Sequence, residues 1–156
     1  MTQISLLADH PAFIDTLAPW LLAHWHNYLP QDTLAMRVAK LQAHLNCDKF
    51  PIAWVAHRGG EVLGTVALRE HDLPDHLHLA PWLGGLFVTP EARGRGIGAA
   101  LCAHVVQAAV PFIAESRAIY LFTLDKQAWY RKSGWAICEP CVWEGHTGDI
   151  MCKLVN

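Results

Sequence analysis

The sequence predicts an α/β fold with one sheet of mixed strand direction. Three observations carry this. Apolar residues recur at helical spacing in long segments near the amino terminus and again around 96–110. Short apolar runs, bounded by glycines or polar loops, read as seven strands. A helical segment stands between the fourth and fifth of these, which implies a right-handed parallel crossover. The 156 residues suit one domain, 1–156. A hydrophobic fraction of 53% against 17% charged supports a packed core rather than a disordered chain.

Taken in order, Gln3 to Leu6 is a short first strand. Pro11 to Tyr28 places Phe13, Leu17, Trp20, Leu21 and Trp25 three and four residues apart, a helical face that Leu29-Pro30 ends. A second helix is expected from Asp32 or Thr33 to about Leu45, with Leu34, Val38, Leu41 and Leu45 on one side. Ile52 to His57 and Val62 to Leu68 form a hairpin across Gly59-Gly60. Glu70 to Leu79 is polar and reads as a loop. Leu83 to Val88 is a strand, followed by a glycine-rich stretch and a helix over 96–110 that Pro111 closes. Ile119 to Phe122 is a strand, and Lys126 to Ser133 a short helix stopped by Gly134. Trp135 to Val142 and Ile150 to Val155 are the last strands.

Composition narrows the function classes. A net charge of −2 gives no global attraction to nucleic acid. No apolar run reaches membrane-spanning length, and the first residues lack a signal pattern, so a cytoplasmic location without membrane contact is expected. Five cysteines, an odd number, fit reduced thiols. The order Cys138-x2-Cys141-x4-His146-x5-Cys152 approaches a zinc knuckle. However, Cys138 and Cys141 lie at odd separation in a strand, which alternation sends to opposite faces, so no metal is expected.

The chemistry concentrates in "TPEARGRGIGAAL", residues 89–101. Glycines let backbone approach a ligand closely, and a helix start presents free N–H groups with partial positive charge. Arg93 and Arg95 add full charges, so the stretch suits a pyrophosphate. Gly94 to Ala99 also satisfies the loose dinucleotide pattern G-x-G-x-x-G/A, with Asp125 downstream as a ribose-binding acid. Yet Thr89 to Arg93 separate Gly94 from its strand, and too little chain follows for the remaining βαβ units.

Read one residue earlier, Arg93-x-x-Gly96-x-Gly98 resembles the pyrophosphate motif of the GNAT (GCN5-related N-acetyltransferase) superfamily. "LGGLFVTPEARGRGIGAALCAHV" is similar to that family's fourth strand, phosphate loop and third helix, and "AWYRKSGW" (128–135) to its later tyrosine signature. The resemblance runs from about Ile52 to the C-terminus and implies a single domain with a twisted, mostly antiparallel sheet. Residues 1–48 would form a helical substrate-side region and 52–155 the cofactor-binding core. It implies acetyl-CoA as co-substrate, with Leu86, Phe87 and Val88 along its pantetheine arm. Gly94, Arg95, Gly96, Ile97, Gly98 and Ala99, with Arg93, would stand at its pyrophosphate. Tyr130 matches the residue that protonates the departing thiolate. Asp125 is read as the N-cap of the tyrosine helix, and matching positions in the family can reach the cofactor.

The family's fourth-strand glutamate has no counterpart, because Trp82, Leu83, Gly84 and Gly85 occupy that place. The nearest acids are Glu70 and Asp72, with His71 between them as the next candidate base. They read equally as substrate-binding and proton-accepting groups or as a solvated loop. Trp82 either walls the acceptor pocket or sits in the core. The expected activity is acetyl transfer to a primary amine of a small molecule. The alternatives are a protein N-terminal acetyltransferase and a non-catalytic acyl-CoA sensor. A homodimer is expected only by analogy with the family.

Overall fold

Strand β1 (Gln3–Leu6) pairs antiparallel with β2 (Ile52–Arg58), Ile4 opposite Ala56 and Leu6 opposite Trp54. The computed structural model describes residues 1–113, 115 and 117–155. Two helices intervene between these strands. α1 (Ile14–Trp25) buries Leu17 and Leu21 of the expected face together with Ile14 and Ala18, while Phe13, Trp20 and Trp25 pack on the same core only partly buried. A 3-10 turn at Pro11–Phe13 precedes it, so the regular helix begins later than the spacing suggests. α2 (Leu34–Ala43) starts at Thr33, whose hydroxyl oxygen accepts the Met36 N–H at 3.2 Å. Its first turn departs from the expected face. Leu34 is 48% exposed, while Arg37 is buried and pairs with Asp32 at 2.7 Å. The arginine can occupy an inward position because its stem is apolar and its charge is met locally.

β3 (Glu61–Arg69) follows β2 across Gly59-Gly60, where Gly59 has φ +60°. β4 (Trp82–Val88), α3 (Ile97–Ala109) and β5 (Ala118–Thr123) form the expected crossover, with Trp82 paired in parallel to Tyr120. After α4 (Gln127–Arg131), β6 (Ala136–Trp143) and β7 (His146–Leu154) complete a seven-stranded sheet in the order β1-β2-β3-β4-β5-β7-β6. β7 starts four residues before its apolar run. Glu144 and Gly145, both at positive φ, make a two-residue turn that sets Trp143 opposite His146. His146 to Asp149 are recruited by the ladder, so hydropathy gives no sign of them.

The chain forms two compact units. One comprises Met1–Ala67 and Gly85–Cys102, the other Leu68–Gly84 and the chain from Ala103 onward. The core of the first gathers Leu7, Leu17, Leu21, Val55 and Phe87 among others. That of the second gathers Leu73, Trp82, Ala118, Tyr120 and Ile150. The division falls inside β4, at Gly85, whose φ of +62° breaks the extended strand.

Candidate active site

In the first unit, β4 ends in a short, highly constrained loop. The Thr89 N–H donates to Leu63 O at 2.9 Å, and a 3-10 turn at Pro90–Ala92 follows. The Arg93 Nε–H donates to Val88 O at 2.9 Å, and its guanidinium lies 5.8 Å from the Phe87 ring centre. Gly94 and Gly96 have φ +76° and +81°, which turn the chain into α3. The first intrahelical bond of α3 runs from Ala100 N–H to Gly96 O. The N–H groups of Ile97, Gly98 and Ala99 therefore belong to the first turn, where a helix supplies no acceptor. A Cβ at Gly94 or Gly96 would meet nothing within 4 Å, so open space lies over this backbone.

The other expected cofactor residues divide by what they can offer. Ile97 is buried, which leaves its backbone N–H for a ligand. The Phe87 ring is surrounded by Trp20, His24 and Arg93, so its contribution is also main-chain. Leu86 and Val88 are half-buried, and Arg95 and Ala99 are exposed. Beside the loop, within the same unit, is a cavity of about 430 Å³ lined by Thr16, Trp20, Glu61, Thr89, Glu91 and Arg95 among others. Sequence reasoning missed Thr16, Trp20 and Glu61, because nothing local links them to residues 89–95. Thr89 donates its hydroxyl to Glu91 at 2.7 Å, and that bond lowers the Glu91 carboxyl below its usual range. His24 is lowered by partial burial first, then by the charges of Arg93 and Arg37.

In the second unit, Tyr130 is 8% exposed and stands between two indoles. Its ring lies 4.9 Å from Trp129, edge-on, and 6.1 Å from Trp135. Asp125 is not the N-cap of this helix. Lys126 holds that position, and its N–H donates to Thr123 Oγ1 at 3.0 Å. That bond closes the turn ahead of α4; the N-cap side chain makes no capping bond, and Asp125 stays exposed. Gln127, one residue on, ties α4 to β7 through Asp149 at 3.0 Å.

The segment after β3 is not a freely solvated loop. Leu73 is buried, Pro74–His76 form a 3-10 turn, and the Trp82 indole N–H donates to Leu79 O at 2.7 Å. Trp82 is fully buried against Tyr120, the core alternative of the two open for it. Glu70 and His71 pair with each other at 3.1 Å, both on the surface. Asp72 turns inward and pairs with Arg69 at 2.8 Å.

Cys138 and Cys141 do not follow simple strand alternation. β6 shifts register between Ile137 and Glu139, leaving Cys138 as the extra residue of a bulge. Past the bulge, Cys141 faces Gly148 and shares a face with Cys152, and both pack on one cluster. Cys138 lies beside Cys152; partial burial, that neighbour and Glu139 push its thiol up to about 11. Among the described residues, no group of three or more His, Cys, Asp or Glu is placed to hold a metal ion.

A strand, a short glycine-turned loop and a long helix, with a parallel crossover behind them, define an α/β protein whose helix start suits a phosphate-bearing ligand. The family model described as "Acetyltransferase (GNAT) domain" matches residues 50–137, and the chain belongs to that family. It is an acetyl-CoA-dependent acetyltransferase. Solved structures agree in fold. An aminoglycoside 6'-acetyltransferase type Ii is 20% identical, with TM-score 0.74 over 99% of this chain and 97% of that one. A GNAT-family acetyltransferase from Staphylococcus aureus Mu50 is 17% identical, with TM-score 0.72 over 100% of both chains. An aminoglycoside 6'-N-acetyltransferase complexed with coenzyme A is 20% identical, with TM-score 0.70 over 97% of this chain and 96% of that one. Among curated proteins none matches the sequence significantly. The loop fits the co-substrate's pyrophosphate, since it combines open space over two glycines, first-turn N–H groups and an exposed arginine. Among the described residues, no helix is long and apolar enough to cross a membrane.

Proposed function

We propose that the chain moves an acetyl group from acetyl-CoA to the primary amine of a small molecule, by direct attack. The observation that carries this is the backbone at Gly94 and Gly96, turned by positive φ just before α3 with nothing within 4 Å of where a Cβ would stand. Acetyl-CoA supplies an acyl group already activated as a thioester. Amides from Gly94 to Ala99 hold the pyrophosphate, with Arg95 adding charge. The main chain of Leu86 to Val88 orients the pantetheine arm. Tyr130, fixed by Trp129 and Trp135, donates a proton to the departing sulfur. Asp125 is exposed beside α4 and remains open to a cofactor contact. Glu70 and Asp72 receive the acceptor, whose ammonium their carboxylates favour, and His71 stands beside them as a further proton acceptor.

The aminoglycoside acetyltransferases among the similar folds support a small cationic acceptor. Calorimetric titration with acetyl-CoA, followed by thiol release over spermidine, kanamycin, lysine and an N-terminal peptide, tests the reading. Binding with release from a small amine supports it. Release from the peptide alone moves the chain to N-terminal acetylation, and binding without release from any amine favours a sensor.

A further inference from the structure

β4 offers no acid of its own, yet a carboxylate rests on it. A Cβ built at Gly84 would lie 2.7 Å from Arg69 Nη1 and 3.1 and 3.2 Å from the two Asp72 carboxylate oxygens. Alternation puts residue 84 on the same face of β4 as Trp82, the position that matches the missing glutamate. Asp72 thus delivers to that face, one pleat along, the group the strand lacks. Arg69, on β3, holds Asp72 Oδ1 at 2.8 Å. Asp72 Oδ2 makes no hydrogen bond to another described residue. The Asp72 side chain is 23% exposed, so water and a ligand can reach it.

We propose that Asp72 is the catalytic base of the transfer and that Arg69 is its positioning residue. The assignment rests on the acetyl-transfer reading above and deepens it. The acceptor ammonium gives one proton to Asp72 Oδ2, directly or through one water. Its nitrogen lone pair then forms the N–C bond to the acetyl carbonyl carbon. As the C–S bond breaks, the electron pair leaves on sulfur, which takes a proton from the Tyr130 hydroxyl. The acylated nitrogen gives a second proton to solvent and keeps the third as the amide N–H, and Tyr130 and Asp72 are restored by exchange with water. Among the described residues the charged group against Asp72 is Arg69, and β4 presents glycine there. The flanking Glu70 and His71 pair with each other. Glycine at 84 has its own reason in this arrangement, since any side chain would displace the ion pair.

The test uses the full chain and whichever of spermidine, kanamycin and lysine the wild type acetylates fastest. Asp72→Asn keeps an oxygen that accepts from Arg69, so the loop is retained, and thermal unfolding checks this. With the base gone, kcat should fall about 100-fold near pH 7. Acetyl-CoA affinity should stay within about two-fold, and the deficit should shrink as pH approaches an amine pKa of about 10, where the acceptor loses its proton unaided. Arg69→Gln should lower kcat with little change in KM, and Arg69→Lys should restore part of the loss. A D72N enzyme that matches wild type at every pH, or whose deficit is the same at pH 7 and pH 10, would overturn the assignment alone. Wild-type inactivity toward all three amines, with acetyl-CoA still bound, would overturn the acceptor reading and this assignment with it.

Discussion

Gly96 joins two requirements at one residue. Its φ of +81° lies where a β-branched side chain is strained, and the space above it is where a pyrophosphate would approach. Gly96→Val should therefore weaken acetyl-CoA binding by more than about ten-fold, beyond a modest loss of stability of ~1–3 kcal/mol. Titration beside a melting curve separates the two, and intact binding would displace the phosphate loop from these residues. Tyr130 is the second residue to which the proposed function gives a role. Tyr130→Phe keeps the ring between Trp129 and Trp135 and removes only the hydroxyl. Turnover should fall by about 10²-fold with acetyl-CoA binding nearly unchanged. Full turnover would end its role as proton donor. Both residues were legible in the sequence because their motifs are contiguous. Asp72 as an acid on the face of β4 was not, since Gly84 and Asp72 meet only through the fold of the intervening loop.

At the scale of elements, glycines mark where strands approach too closely for a side chain. A Cβ at Gly148 on β7 would clash with Thr123 O and lie 2.8 Å from Phe122 Cζ on β5. Gly148→Ala should destabilise by about 1–3 kcal/mol, because Thr123 O and Leu124 Cα are backbone that cannot swing aside. Urea unfolding measures this; an unchanged midpoint would mean the strands separate freely. Strand alternation was a sound guide wherever the ladder was regular and misled at the β6 bulge, where one extra residue reverses the parity of everything after it. The Asp125 cap failed for a related reason. α4 begins one residue later than the pattern places it, so Lys126 stands at the N-cap, and its N–H donates to Thr123 Oγ1.

For the whole molecule, acid should be the destabilising direction. His24 and His104 both have pKa values lowered from 6.5, His24 by partial burial and then Arg93 and Arg37, His104 by partial burial. The unfolded chain takes up these protons first as pH falls. Their stabilising contribution is thus complete above about 6.5 and is lost as pH drops through the lowered folded values. Melting temperature should be level from pH 8 to 7 and decline between pH 6.5 and 5. The double variant His24→Gln, His104→Gln should decline less over that interval. An identical slope in wild type and double variant would place the acid sensitivity elsewhere among the ten histidines.

The sequence by itself determined the order of the elements, the glycine-turned loop before α3 and the motif at 128–135. Each is written in neighbouring residues, where periodicity, glycine and helix starts act over a few peptide units. Tertiary structure decided what depends on segments distant in the chain. It buried Arg37 with Asp32, closed Trp82 into a core, gathered Thr16 and Glu61 beside the phosphate loop, and laid Asp72 on the strand that has no acid. A side chain's partners are set by packing in three dimensions, and local pattern carries no record of which partners those will be.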